Sequence, residues 1–273
     1  SELGSYEPVP PELPPGSDVG TLSLLGYDPK RYYTGRAPLE AASLGIELAQ
    51  EDVSFRCNLV TVREEGGELI LDDYSAGHLS AEEGRALMET IQKHLGNDEM
   101  KFYPGVSYRN ILVWKNGPLD VKIPPPHDIM GESVKKFLKS YRNLYEIFNK
   151  SLEILSDHPV NKKRIAENKK PANAIWLWGQ GKSPSLPKIE ELYGIKSAVI
   201  SAVDLVKGIG KFAGMKIINV PGATGYMDTN FKGKVESCVD ALKEVSLVVL
   251  HVEGIDEVSH GGNALEKVKA IET

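Results

Sequence analysis

Cysteine is nearly absent: the 273 residues contain two, Cys57 and Cys238, far apart along the chain. Two isolated thiols make neither a CxxC metal pattern nor a disulfide framework, and a reducing cytoplasm is the expected setting. Long apolar runs are missing too. No stretch of about 18 uncharged apolar residues occurs, so no membrane-spanning helix is expected. The opening residues SELGSYEPVPPELPPGSD have neither the basic start nor the apolar stretch of a signal peptide. Positive charge is not in excess. The 32 basic and 38 acidic residues give a net charge of −6, which disfavours nucleic acid as the main partner. What is present is ordinary globular material, 41% hydrophobic and 26% charged. That is enough apolar surface to offset the entropy of ordering, and it excludes disordered, collagen-like and coiled-coil chains. The length suits one large domain or two modest ones.

The chain opens in a Pro-rich segment with Pro8, Pro10, Pro11, Pro14 and Pro15, and it ends in NALEKVKAIET, which reads as a helix still in progress. The residues are therefore expected to be part of a longer polypeptide. Residues 17–26 read as a helix start after a loop. The segment 53–63 reads as a strand, followed by a turn at Glu65–Gly66–Gly67 and a second strand, ELILDDY, making a hairpin. Residues 80–95 form an amphipathic helix with Ser80 and Glu83 as a capping box. A strand is expected at the end of 101–114, and one long helix over 133–155. From residue 173 onward, strands and helices alternate: NAIWLWG, SLPKIEELYG, SAVISA, VDLVKGIGKFAG, MKIINVPG, a helix over 232–244, and SLVVLHV. That pattern implies a parallel sheet with ligands bound beyond the carboxyl ends of its strands, where PGATGY and HVEGIDEVSH fall.

Four constellations could carry chemistry. Asp256 and His260 stand at i, i+4 after an apolar strand, with His251 and Glu253 nearby. On a helical turn they face the same way, and carboxylate plus imidazole suits Zn²⁺ or Mn²⁺; the alternative is an ordinary polar loop with a helix cap, since D-x-x-x-H is a common spacing. In PPGSDVGTLS, Ser17 lies at a helix N-terminus that favours an anion. It reads either as a metal-activated nucleophile for phosphoryl transfer or as a plain N-cap. Arg56, Arg109, His127 and Asp128 suit an anionic substrate, since arginine offers a planar fork to carboxylate or phosphate; structural ion pairs are the alternative. In WGQGKSPSLP, a loop that only loosely resembles a phosphate-binding one, Lys182 reads either as a group that reaches a phosphate or as a plain exposed loop lysine.

The same stretches carry a family resemblance. PGSDVGTLSLLGYDP, YYTGRAPLEAASLGIEL, FRCNLVT, DYSAGHLS, YPGVSYRNILV, PPHDI, PANAIWLWGQGKSP, AVISAVDLVKGIG, VPGATGYMDTNFKGK and HVEGIDEVSH resemble the cofactor-independent phosphoglycerate mutases of the archaeal type, in the alkaline phosphatase superfamily. Some bacterial members close in these motifs have been labelled proposed homoserine kinases. The resemblance implies an α/β fold: an alkaline phosphatase-like parallel-sheet domain over 1–40 and 186–273, with an inserted α+β substrate-holding domain over 41–185. It implies interconversion of 3-phosphoglycerate and 2-phosphoglycerate through a phosphoserine at Ser17. It also implies two divalent metal ions (Mn²⁺ or Zn²⁺, with Mg²⁺ a further option), with Ser17, Asp256 and His260 among the ligands. Arg56, Arg109, His127, Asp128 and Lys182 would hold the glycerate. Hinges would lie near 32–45 and 183–190, so that closure excludes water. The implied partner is a small-molecule phosphoglycerate, with neither nucleic acid nor membrane, in the cytoplasm; a homo-oligomer stays open.

Nothing here matches the family's opening Asp-Gly-Met strand, its later Asp-His pair or its further histidine ligand. Asp157–His158 follows a helix of the inserted domain and is not that pair. Three readings therefore stand: the mutase, a phosphotransferase on another small hydroxy compound such as homoserine, and a non-catalytic fragment without full metal ligation.

Overall fold

The computed structural model describes residues 9–13, 16–260 and 262–273, with the backbone alone at His260. Pro8, Pro14 and Pro15 of the Pro-rich opening, and the His260 side chain, lie outside the described residues. The chain forms two compact units: Ser1–Tyr33, Ala42–Ile46 and Pro184–Thr273 make the first, and Thr34–Ala41 with Glu47–Ser183 the second.

Three short helices lead in: α1 (Ser17–Leu24), α2 (Pro29–Tyr32) and α3 (Ala37–Ser43). The cap of α1 is Gly16, with Gly20 N bonded to Gly16 O at 3.0 Å. Ser17 is thus the first helical residue and not the N-cap, which corrects the plainer of its two readings.

The second unit is built on one long strand. β1 (Asp52–Glu65) turns through Gly66 and Gly67, both at positive φ, into β2 (Glu68–Asp73). Two left-handed residues match the twist of a tight hairpin, which is why a Gly-Gly pair serves here. Helix α4 (Ala81–Leu95) follows with its capping box formed between Ser80 and Glu83. The segment expected to hold one strand holds two, β3 (Met100–Val106) and β4 (Arg109–Lys115), joined at Ser107 with φ 59°. Pro104 falls inside β3. It is tolerated because β3 is an edge strand, where a missing N–H leaves no ladder bond unmade.

A 3-10 turn spans Pro126–Ile129, and the helix expected over 133–155 is two: α5 (Val134–Leu138) and α6 (Arg142–Ser156). The break falls at Tyr141, at φ −121° and ψ 76°. The two helices share one packing partner, the fully buried indole of Trp176. Phe137 and Phe148 both meet that ring edge-on, at 6.4 and 6.3 Å between centroids. After α7 (Pro159–Ala166) comes β5 (Ala174–Gly181). It runs antiparallel to β1 and belongs to this sheet, whose order is β2-β1-β4-β3 with β5 also on β1. The expected parallel pairing of NAIWLWG is therefore corrected: an apolar run signals burial on both faces, not the direction of its partner.

The first unit continues with α8 (Ile189–Tyr193), β6 (Ser197–Ile200), α9 (Asp204–Phe212), β7 (Lys216–Ile218), α10 (Phe231–Ala241), β8 (Leu247–Leu250), α11 (Gly254–His260) and α12 (Ala264–Glu272). Here the alternating pattern does produce a parallel sheet, in the order β7-β6-β8. No helix among the described residues is long and apolar enough to cross a membrane.

Candidate functional site

In the second unit, Arg56 sits in the middle of β1, facing Ile111 of β4 on one side and Trp178 of β5 on the other. A guanidinium with only 5% residual exposure must be held by something. It stacks over the indole of Trp178, 4.3 Å from the ring centroid, and its Nε lies 2.9 Å from Glu40 Oε2. The second oxygen of Glu40 accepts a 3.0 Å hydrogen bond from Arg36 Nε. Burial pushes Arg56 down to about 10, against the pull of Glu40, so it stays a cation at neutral pH. Burial raises Glu40, but Arg56 and Arg36 prevail and hold its carboxyl below the usual range.

From Trp178 a chain of aromatic contacts leads outward. Its Nε1 donates to the buried Asn58 Oδ1 at 3.1 Å, which locks the ring. His127 meets Trp178 edge-on at 5.9 Å and Tyr74 at 5.8 Å. Tyr74 in turn meets Tyr108 at 5.8 Å, and the Arg109 guanidinium lies 5.7 Å from the Tyr108 ring. The 3-10 turn sets Asp128 beside His127, at 3.6 Å. Arg56, Arg109, His127 and Asp128, far apart in sequence, thus belong to one patch. With Arg36 and Glu40 the patch holds three guanidinium groups and two carboxylates, Glu40 and Asp128, and it runs from a buried end at Arg56 to an exposed one at Arg109. Among the described residues, no hydrogen bond or ion pair ties the Lys182 side chain to this patch; its carbonyl accepts from Thr34 Oγ1 at 2.6 Å. Glu40, Arg36 and the aromatic members were not singled out from sequence. An i, i+4 Arg–Glu pair reads as an exposed helix pair unless the strand beneath it is known.

In the first unit, Ser17 is exposed at the first position of α1, and its neighbour Asp18 is buried. Asp18 accepts from Val19 N at 3.0 Å and from Tyr33 Oη at 2.8 Å. Asp256 and His260 lie one turn apart on α11, as their spacing requires. Just before them, His251 Nε2 is 3.0 Å from Glu253 Oε2 and His251 Nδ1 is 3.2 Å from Ser201 Oγ. Lys234, almost fully buried, donates to His251 O at 3.4 Å. Ser201, His251, Glu253 and Lys234 thus gather at the carboxyl ends of β6 and β8, the ligand edge of such sheets. A metal needs more than α11 offers. Among the described residues, no group of three or more His, Cys, Asp and Glu is placed to hold an ion. Zn²⁺ at a catalytic site takes three protein ligands.

The family model for 2,3-bisphosphoglycerate-independent phosphoglycerate mutase matches residues 1–161. A probable mutase of that name from Geobacter sulfurreducens is 52% identical over 273 residues, covering 99% of this chain and 68% of the relative. The Methanosarcina barkeri 2,3-bisphosphoglycerate-independent phosphoglycerate mutase is 50% identical over 275 residues, covering 99% and 68%. Among solved structures, the PH0037 protein from Pyrococcus horikoshii aligns with a TM-score of 0.74 and 29% identity, covering 98% of this chain and 63% of that one. The cofactor-independent phosphoglycerate mutase from Thermoplasma acidophilum aligns at 0.52 and 31% identity, covering 86% and 64%. The chain spans about two thirds of its curated relatives and somewhat less than two thirds of these solved structures. With a matched model over more than half its length and relatives at half identity, the chain belongs to the 2,3-bisphosphoglycerate-independent phosphoglycerate mutases.

Proposed function

We propose that the chain acts in the phosphoglycerate mutase reaction, an isomerisation of glycolysis and gluconeogenesis, with Ser17 as phosphoryl acceptor and the Arg56 patch as holder of the glycerate. The observation that carries this reading is the buried guanidinium of Arg56, stacked on Trp178 and braced by Glu40. A cation kept in a dry wall, with Arg36 and Arg109 beside it, suits the carboxylate of a small acid.

The chemistry follows from what these residues offer. Ser17 Oγ attacks phosphorus in line as the bond to the C3 oxygen of glycerate breaks; the serine proton leaves and the C3 oxygen regains one. The C2 hydroxyl then attacks the phosphoserine and Ser17 is restored. A covalent intermediate divides one transfer into two. Because Gly16 caps α1, the Ser17 hydroxyl is not consumed in capping. The helix N-terminus also stabilises the charge of a phosphoserine there. The patch must keep the glycerate while it re-orients between steps, so that water does not reach the phosphoserine.

Divalent metal belongs to this proposal only in part. Asp256 and His260 would supply two donors to one ion, which would lower the pKa of the serine hydroxyl. The described residues do not complete a site, so no step is assigned to it. The relatives' names favour the mutase over a homoserine-type phosphotransferase.

The test is ³¹P NMR of 3-phosphoglycerate with the purified protein and Mn²⁺. Formation of 2-phosphoglycerate, lost in Ser17→Ala, is the expected result. Turnover retained in Ser17→Ala would remove the serine from the mechanism.

A further inference from the structure

We propose that Glu40 is a positioning residue: its carboxylate bridges Arg36 and Arg56 and aims the free ends of the Arg56 guanidinium at the carboxylate of a three-carbon hydroxy acid. The proposal rests on the reading of this patch as the glycerate holder.

A carboxylate among arginines needs explaining, because it opposes the binding of any anion. Three guanidinium groups alone would attract an acid more strongly than three offset by one carboxylate. The geometry gives Glu40 another task. Its two oxygens are divided, Oε1 to Arg36 Nε at 3.0 Å and Oε2 to Arg56 Nε at 2.9 Å. Both contacts use the inner nitrogen of the fork. For Arg56 the contact is an ion pair without hydrogen-bond direction, and that N–H is buried with no hydrogen-bond partner. With Glu40 on the Nε side and Trp178 under the plane, rotation of the guanidinium is restricted. Among the described residues its terminal nitrogens carry no hydrogen bond, and they form the edge that meets carboxylate bidentately. The backbone fixes where Glu40 stands. A Cβ at Gly35 would lie 2.1 Å from Gln180 O, so only glycine lets the start of α3 press against the end of β5. Glu40, one turn into α3, is thereby brought to the middle of β1.

The experiment reads the sign of the effect. Isothermal titration of 3-phosphoglycerate into the 273-residue protein is compared for wild type, Glu40→Gln, Glu40→Asp and Arg56→Met, with far-UV circular dichroism as the folding control. If Glu40 positions, Glu40→Gln binds about tenfold more weakly although a repelling charge has been removed. Glu40→Asp, which keeps the charge and shortens the reach, is expected to lie between it and wild type. Tighter or unchanged binding in Glu40→Gln, or wild-type affinity in Glu40→Asp, overturns the proposal. Should Glu40→Gln fail to fold, the charge-conserving Glu40→Asp decides alone. Unchanged binding in Arg56→Met overturns instead the reading of the patch on which the proposal rests.

Discussion

Glu40 Oε2 lies 2.9 Å from Nε of Arg56, across an ion pair whose arginine comes from the central strand of a sheet and whose acid comes from a short helix. Both side chains are sequestered from water, with 6% and 13% exposure. Such a pair is costly to break, because the remaining partner is left as an uncompensated buried charge.

Removing Arg56 alone should therefore weaken both binding and stability. Arg56→Met is expected to lose about 3 kcal/mol or more of stability, by analogy with buried pairs elsewhere. The double variant Arg56→Met with Glu40→Gln should regain much of that stability in urea titration, without regaining affinity for 3-phosphoglycerate. Recovery of affinity in the double variant would show that the guanidinium is not the binding group.

Ser17→Ala should leave the fold nearly untouched. The hydroxyl is exposed and caps nothing, so a change within about 0.5 kcal/mol is expected in thermal unfolding. Phosphoserine, sought by mass spectrometry after incubation with 3-phosphoglycerate, should disappear. A large loss of stability would mean that the hydroxyl has a structural partner.

Arg164 is a second buried arginine with a purely structural task. Its guanidinium donates to Lys170 O, Ala76 O and Glu83 Oε2, each at 2.8 Å, and to Gly77 O at 3.1 Å. Arg164→Met should cost about 3–5 kcal/mol, since these acceptors lose their donor in a dry environment. Denaturant midpoints check this, and a loss below about 1 kcal/mol contradicts it.

Glu83 links that arginine to pH. Burial raises its pKa, but hydrogen bonds from Ser80 and Arg164 prevail and hold it below its ordinary value of 4.5. A carboxyl depressed in the folded state contributes stability that is complete above the unfolded value and lost as pH falls through the folded one. The stability gap between wild type and Glu83→Gln should thus be constant near neutrality and shrink once the pH drops below about 4.5. A gap that persists at lower pH would point to packing and not to charge.

Gly35→Ala tests the backbone approach. With a Cβ 2.1 Å from Gln180 O, and φ at +130°, the chain must shift. More than about 1 kcal/mol of stability should be lost. Affinity for 3-phosphoglycerate should fall with it as α3 moves away from Arg56. Intact affinity would separate the placement of α3 from the patch.

Local chemistry made much of the fold legible. The Gly66–Gly67 hairpin, the Ser80–Glu83 capping box and the alternating strands and helices after residue 185 each follow from spacings a few residues long. The misread stretches share a cause. The break at Tyr141 goes with the packing of Phe137 and Phe148 from two helices onto Trp176, a residue of a distant strand. The strand containing Pro104 exists because it lies at an edge. The direction of β5 is fixed by its pairing with β1, a strand far away along the chain. None of these causes is local.

The site divides in the same way. By itself the sequence determined the family, through long motifs, and the i, i+4 placement of Asp256 and His260, because a helix repeats every 3.6 residues. It also marked Arg56 as unusual, an arginine between apolar neighbours on a strand. What held that arginine only the tertiary structure decided. Glu40 is 16 positions before it and Trp178 is 122 after it, and no periodicity connects them. Burial made the connection, because a guanidinium taken out of water needs compensating partners, and folding supplied a carboxylate and a π face from distant parts of the chain.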